Sequence, residues 1–174
     1  MTANQENGEQ FTGLILLTGV DKPGIASALF QTLAPFSISI LDVEQIVISD
    51  RLILTVLIGL NPAHQKAIEV DLEECASINN VDIATLFTSR PMSKAKTQLI
   101  DVVVESDKLH PKTIAEITVL LNGLGVNIES ISRVASAQIT LRFTTSGAKL
   151  EDISKVLDPY IFENDSRVSV KAYG

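Results

Sequence analysis

The eight residues Thr18-Gly19-Val20-Asp21-Lys22-Pro23-Gly24-Ile25 hold the densest chemical possibilities in this 174-residue chain. Gly19 has no Cβ, so backbone amides there can come close to a small molecule. Pro23-Gly24 stands where a helix is expected to open, with proline suited to its first position. The free N–H groups and positive dipole end of such a helix favour a carboxylate. Asp21 offers the opposite chemistry, a carboxylate for an ammonium group. Anion and cation sites three residues apart match the zwitterion of an amino acid. The same residues are also ordinary turn and helix-start chemistry, and both readings stand at this point.

Other reactive side chains are less promising. Cys75 lies on an apolar helical stripe and reads as a small core residue. His64 and His110 each fall near a helix start, with no Cys or His at metal-ligand spacing. Glu69, Asp71, Glu73 and Glu74 read as a solvated helix face. No Gly-x-Ser-x-Gly, Walker or zinc signature is present, and neither a cofactor nor a metal is expected. A net charge of −7, with 14 dispersed Lys and Arg, argues against a phosphate-tracking surface and hence against nucleic acid. Met1 to Gln10 is polar and does not read as a signal peptide. The longest apolar run, Leu52 to Leu60, is too short for a membrane span of about 20 residues. One cysteine excludes an internal disulfide framework, so a soluble cytoplasmic protein is the expectation.

The elements that would position the loop come in two similar sets. An offset of 88 places Pro23 on Pro111, Ile40 on Ile128, Val43 on Ile131 and Ile46 on Val134; it also places Ile15 on Val103 and Ile53 on Leu141. In the first set, strands are expected at Leu14–Thr18, Ile38–Ile48, Leu52–Gly59 and Val81–Phe87, with Asp50-Arg51 as a hairpin tip. Helical stripes lie at Ile25, Leu29 and Leu33, stopped by Pro35, and at Ile68, Leu72 and Cys75. The second set repeats this order from Leu99 to Val170. The expected fold is α+β: two ferredoxin-like βαββαβ domains, each an antiparallel sheet with helices on one face. Their boundaries are expected at 13–89 and 97–174, after a tail at 1–12 and with a linker at 90–96. Leu52 to Ile58 is apolar at both parities, whereas a solvated sheet face should alternate with polar residues. The outer face is therefore expected to be covered by the other repeat or by a second chain, and a homodimer is favoured. A charge at Leu54 or Val56 is expected to break that assembly.

Thr18 to Ile25, followed by Ile40-Leu41-Asp42-Val43-Glu44-Gln45, resembles an ACT domain, the small-molecule-sensing module of amino-acid metabolism. The run Leu41 to Ile48 with Arg51-Leu52 is similar to the N-terminal region of two-ACT bacterial phosphoserine phosphatases, and the likeness extends from about Leu14 onward. The resemblance implies a ligand site built from Gly19, Val20, Asp21, Pro23, Gly24 and Ile25, with Ser39 standing where many members carry Asn. It also implies a small amino acid as ligand, serine foremost. In repeat two the loop glycines and acid are replaced, since Gly19 maps to Asp107, Asp21 to Leu109 and Gly24 to Lys112. Only Asn127, opposite Ser39, keeps the polar residue, so repeat two is either structural or completes a site through Asn127; the structural role is favoured. The phosphatase family's Asp-x-Asp-x-Thr motif is absent, so the expected role is regulation of an attached or partner enzyme rather than catalysis. An alternative is a free-standing interaction module similar to the glycine-cleavage-system repressor, acting on a transcription factor.

Overall fold

The computed structural model describes residues 9–91, 99–105, 110–135, 138–144, 148–163 and 167–172. The chain divides into two units, Met1–Ser93 and Lys94–Gly174.

In the first unit the order is β1 (Glu9–Val20), α1 (Ile25–Leu33), β2 (Ile38–Ile48), β3 (Arg51–Leu60), a 3₁₀ turn (Pro62–His64), α2 (Gln65–Asn79) and β4 (Asp82–Pro91). The strands form an antiparallel sheet ordered β2-β3-β1-β4, which is the ferredoxin-like arrangement. β1 and β4 are longer than the apolar pattern alone marks, because they pair with each other from Glu9↔Pro91 to Thr18↔Asp82. Period-2 alternation then sorts their side chains. Ile15 and Leu17 of β1 share one face with Leu52, Leu54, Val56 and Ile58 of β3, and all six are buried. Onto that face pack Ile25, Leu29 and Leu33 of α1 and Ile68 and Leu72 of α2. Burying each such side chain contributes about 1.5–3 kcal/mol.

This register corrects two sequence expectations. Leu54 and Val56 point into the helix-covered core rather than outward; the outward residues of β3 are Ile53, Thr55 and Leu57. An apolar run at both parities cannot by itself tell which parity meets the helices. The hairpin tip is Ser49-Asp50, with Ser49 at φ 58, and Arg51 already belongs to β3, paired with Ile48.

In the second unit, β5 (Leu99–Glu105), α3 (Pro111–Asn122), β6 (Asn127–Ala135), β7 (Gln138–Thr144), α4 (Leu150–Glu163) and β8 (Arg167–Ala172) repeat the topology, with strand order β6-β7-β5-β8. Its core gathers Ile100, Val102, Val104, Ile117, Leu121, Val126, Ile153 and Leu157.

A single offset of 88 does not survive the pairing. The cross-sheet row Ile15–Val56–Val43 corresponds to Val102–Leu141–Ile131, so the offset is 87 in the first strand, 85 in the third and 88 in the second. Ile15 therefore matches Val102 rather than Val103, and Leu141 matches Val56 rather than Ile53. The cause is loop length: Val43 to Val56 takes 13 steps and Ile131 to Leu141 takes 10. Both second strands keep an irregularity at the same place, between Ile40 and Asp42 and between Ile128 and Ser130.

Candidate functional site

The loop after β1 is held at both ends. On the strand side, Gly19 is buried, and a Cβ built there would lie 2.7 Å from Cγ1 of Val81. Packing alone thus demands glycine at this position. Val20 ends the strand opposite Arg51, with its side chain 39% exposed on the outer face. Beyond it the Asp21 amide donates to the carbonyl oxygen of Asp50 at 2.7 Å, so the hairpin tip braces the loop while the Asp21 carboxylate stays exposed.

On the helix side, Gly24 is the N-cap of α1 at φ 96, a left-handed conformation that L side chains rarely adopt. A Cβ there would meet nothing within 4 Å, so the backbone angle rather than space requires the glycine. Pro23 accordingly sits in the turn before the cap, not at the first helical position. Proline takes that position in the second unit, at Pro111 after the extended N-cap His110. No side chain caps α1, and its first turn carries no acidic residue. The leading N–H groups of Ile25, Ala26 and Ser27 have no intrahelical acceptor. The Ile25 side chain is turned into the core, so only its amide could serve a ligand. Around this end of the sheet, Asp21, Lys22, Asp50, Arg51 and Asp82 are all exposed.

Ser39 does not join this cluster within one unit. It stands opposite Gly59, which is paired with Thr12, while the loop leaves the sheet at Val20. Eight residues of extended strand separate the two ends, about 27 Å at about 3.4 Å per residue. Asn127 begins β6 and borders a cleft of about 340 Å³ with Thr118, Val119, Asn122, Val126 and Ile128. The repeat-two loop positions Asp107 and Leu109 lie outside the described residues; Lys112 is in the first turn of α3.

Sequence reading missed the bracing of Asp21 by Asp50. The two polar residues between apolar strands locate a turn, but no local signal says which loop that turn touches. Cys75 is buried as expected, and its carbonyl accepts from Asn79. His64 packs near Phe36, with its Nδ1 buried and unpartnered among the described residues. Among the described residues no three His, Cys, Asp or Glu side chains group as metal ligands.

Residues 12–85, spanning both helices and the loop, match the family model described as ACT domain. Residues 12–85 thus belong to the ACT-domain family. It is 29% identical over 154 residues to phosphoserine phosphatase of Streptomyces coelicolor, covering 84% of this chain and 36% of that protein. It is 30% identical over 173 residues to phosphoserine phosphatase SerB2 of Mycobacterium tuberculosis, covering 92% of this chain and 41% of that one. The chain thus spans about two fifths of the length of these relatives. Its fold matches a crystal structure assigned as a glycine cleavage system transcriptional repressor, with TM-score 0.75, 19% identity and coverage of 94% and 98%. It equally matches an unknown protein from Galdieria sulphuraria, with TM-score 0.76, 16% identity and coverage of 95% and 100%. Among the described residues no helix is long and apolar enough to cross a membrane.

Proposed function

We propose that this ACT protein binds a small amino acid, serine foremost, and thereby controls an attached or partner enzyme of serine metabolism similar to phosphoserine phosphatase. The observation that carries the reading is the loop itself. An exposed Asp21 carboxylate is braced through its amide, beside a helix start left open by Gly24 and not capped by any side chain. The carboxylate suits an α-ammonium, and the open N–H groups suit an α-carboxylate. Choice of serine rests on the phosphatase relatives. Ser39 lies about 27 Å away along the strand, so it contributes to a ligand at this loop only from a second copy of the chain. Ligand bound at such a shared surface changes association, and the enzyme responds to that change.

Calorimetry of the full chain with serine, glycine and other amino acids tests this directly. Millimolar or tighter binding that Asp21→Ala weakens supports the reading; no binding at millimolar concentration overturns it. A second reading, a free-standing module acting on a transcription factor, draws on the near-complete mutual coverage with the repressor-like structure. Capture of a DNA-binding protein, with no amino acid bound, favours that reading.

A further inference from the structure

The net charge of −7 is not shared between the two units. Residues 1–93 hold 4 Lys and Arg against 11 Asp and Glu, which is −7, whereas residues 94–174 hold 10 of each and are neutral. The acid excess concentrates on α2, where Glu69, Asp71, Glu73 and Glu74 stand against Lys66 alone. Beside it, α1 carries no charged residue. The four acids do not share one face. Glu69 and Glu73 border a cleft toward β4, with Leu72, Ile83 and Thr85. Asp71 and Glu74 border an open groove of about 400 Å³ between α1 and α2. Ala28, Thr32 and Pro35 form one wall of it, and Cys75 and Ile78 stand beside the acids on the other. Among the described residues no basic side chain lines the groove, and neither carboxylate has an ion-pair or hydrogen-bond partner. Along its rim Val70, Glu74 and Ile78 follow one another at i, i+4 and i+8, and the two apolar ones are 53% and 74% exposed. The second unit lacks this arrangement on its matching helix. Leu29 and Leu33 correspond to the core residues Ile117 and Leu121. That sets Ala28 against Glu116, paired with Lys112 at 3.6 Å, and Thr32 against Leu120.

We propose that the groove between α1 and α2 docks a basic amphipathic helix of a partner protein, one that sets a Lys or Arg between two apolar side chains. Charge complementarity selects this occupant. The acidic first unit draws cationic surfaces toward it across about a Debye length, about 8–10 Å. A segment as acidic as α2 itself is repelled. Apolar and basic side chains one turn apart on the partner helix meet Val70, Glu74 and Ile78 in register. The aliphatic stem of the Lys or Arg lies along Pro35 and Cys75 while its head reaches Asp71 and Glu74. Ala28 and Thr32 leave room for that stem, where Glu116 and Leu120 stand in the second unit. The proposal makes no use of the amino-acid loop, so docking and ligand binding succeed or fail separately.

Fluorescence anisotropy with the full chain and a labelled peptide of about 18 residues, about five helical turns, tests it. The peptide alternates leucine and lysine turn by turn on one face, and a second peptide carries glutamate for every lysine. The lysine peptide is expected to bind with Kd below about 100 µM, and the glutamate peptide not at all. Glu74→Lys should weaken binding at least about tenfold with an unchanged circular dichroism spectrum. Ile78→Ser, which removes the exposed rim hydrophobe, should weaken it at least about threefold. Glu73→Lys, the same charge change on the side toward β4, should stay within about twofold of wild type. Amide resonance shifts on wild type should centre on Ala28, Thr32 and Asn79. Equal losses for Glu73→Lys and Glu74→Lys, binding of the glutamate peptide, or shifts centred on Leu14 and Leu86 of the outer sheet face overturn the proposal. So does the absence of binding at about 1 mM lysine peptide. Serine titration on the same samples reads the ligand proposal separately.

Discussion

Gly19 and Gly24 are glycine for different reasons, and each reason makes its own prediction. Gly19→Ala drives a methyl into Val81 at 2.7 Å; overpacking of this kind costs about 1–3 kcal/mol. Urea unfolding should show that loss, and Val81→Ala in the same chain should recover part of it, a coupling that a double-mutant cycle reads directly. Additive losses would show that the contact does not govern the site. Gly24→Ala meets no neighbour but must hold φ 96, a strain of about 1–2 kcal/mol that no second substitution relieves. Asp21 is exposed, so Asp21→Ala should leave the urea midpoint within error while weakening serine binding at least tenfold. A change in the midpoint without a change in affinity would count against the ammonium role. The loop was legible in the sequence as a cluster of residue types, yet its glycines are accounted for first by packing and by backbone angle.

At the scale of the element, strand parity decides what a substitution does. Leu54 is 1% exposed beneath the helices, so Leu54→Ala should cost about 2–5 kcal/mol. Thr55, its neighbour on the opposite face, is half-buried, and Thr55→Ala should cost under about 1 kcal/mol. Equal effects in urea denaturation would mean that the register is displaced by one residue. The sequence announced β3 as a strand but not its inward face, because Leu52 to Ile58 offers hydrophobes at both parities. β2 poses the related problem of an edge. Its residues from Ser39 to Ile48 are all exposed, and Asp42, Glu44 and Gln45 interrupt the apolar ones, as edge strands often do to discourage indiscriminate pairing.

For the whole molecule, the separation of Ser39 from Asp21 carries the strongest consequence. If both serve one ligand, they come from different chains, and neither Asp21→Ala nor Ser39→Ala protein should bind serine well alone. Mixing the two as dimers should restore about a quarter of the wild-type sites, since random exchange makes half the dimers mixed and each holds one intact site. Calorimetric stoichiometry measures this fraction, and no recovery on mixing would remove Ser39 from the site.

Composition and periodicity alone determined the order of strands and helices, the doubling of the unit and the position of the loop, because these follow from local spacing of apolar, glycine and proline residues. Tertiary structure alone decided which parity of β3 faces the helices, that Asp50 braces Asp21, that the repeats drift from 88 to 87 and 85, and that Ser39 stands at the far end of the sheet. Each of these depends on pairing between residues far apart in the chain. A one-residue change in loop length exchanges the two faces of a strand without altering its local pattern.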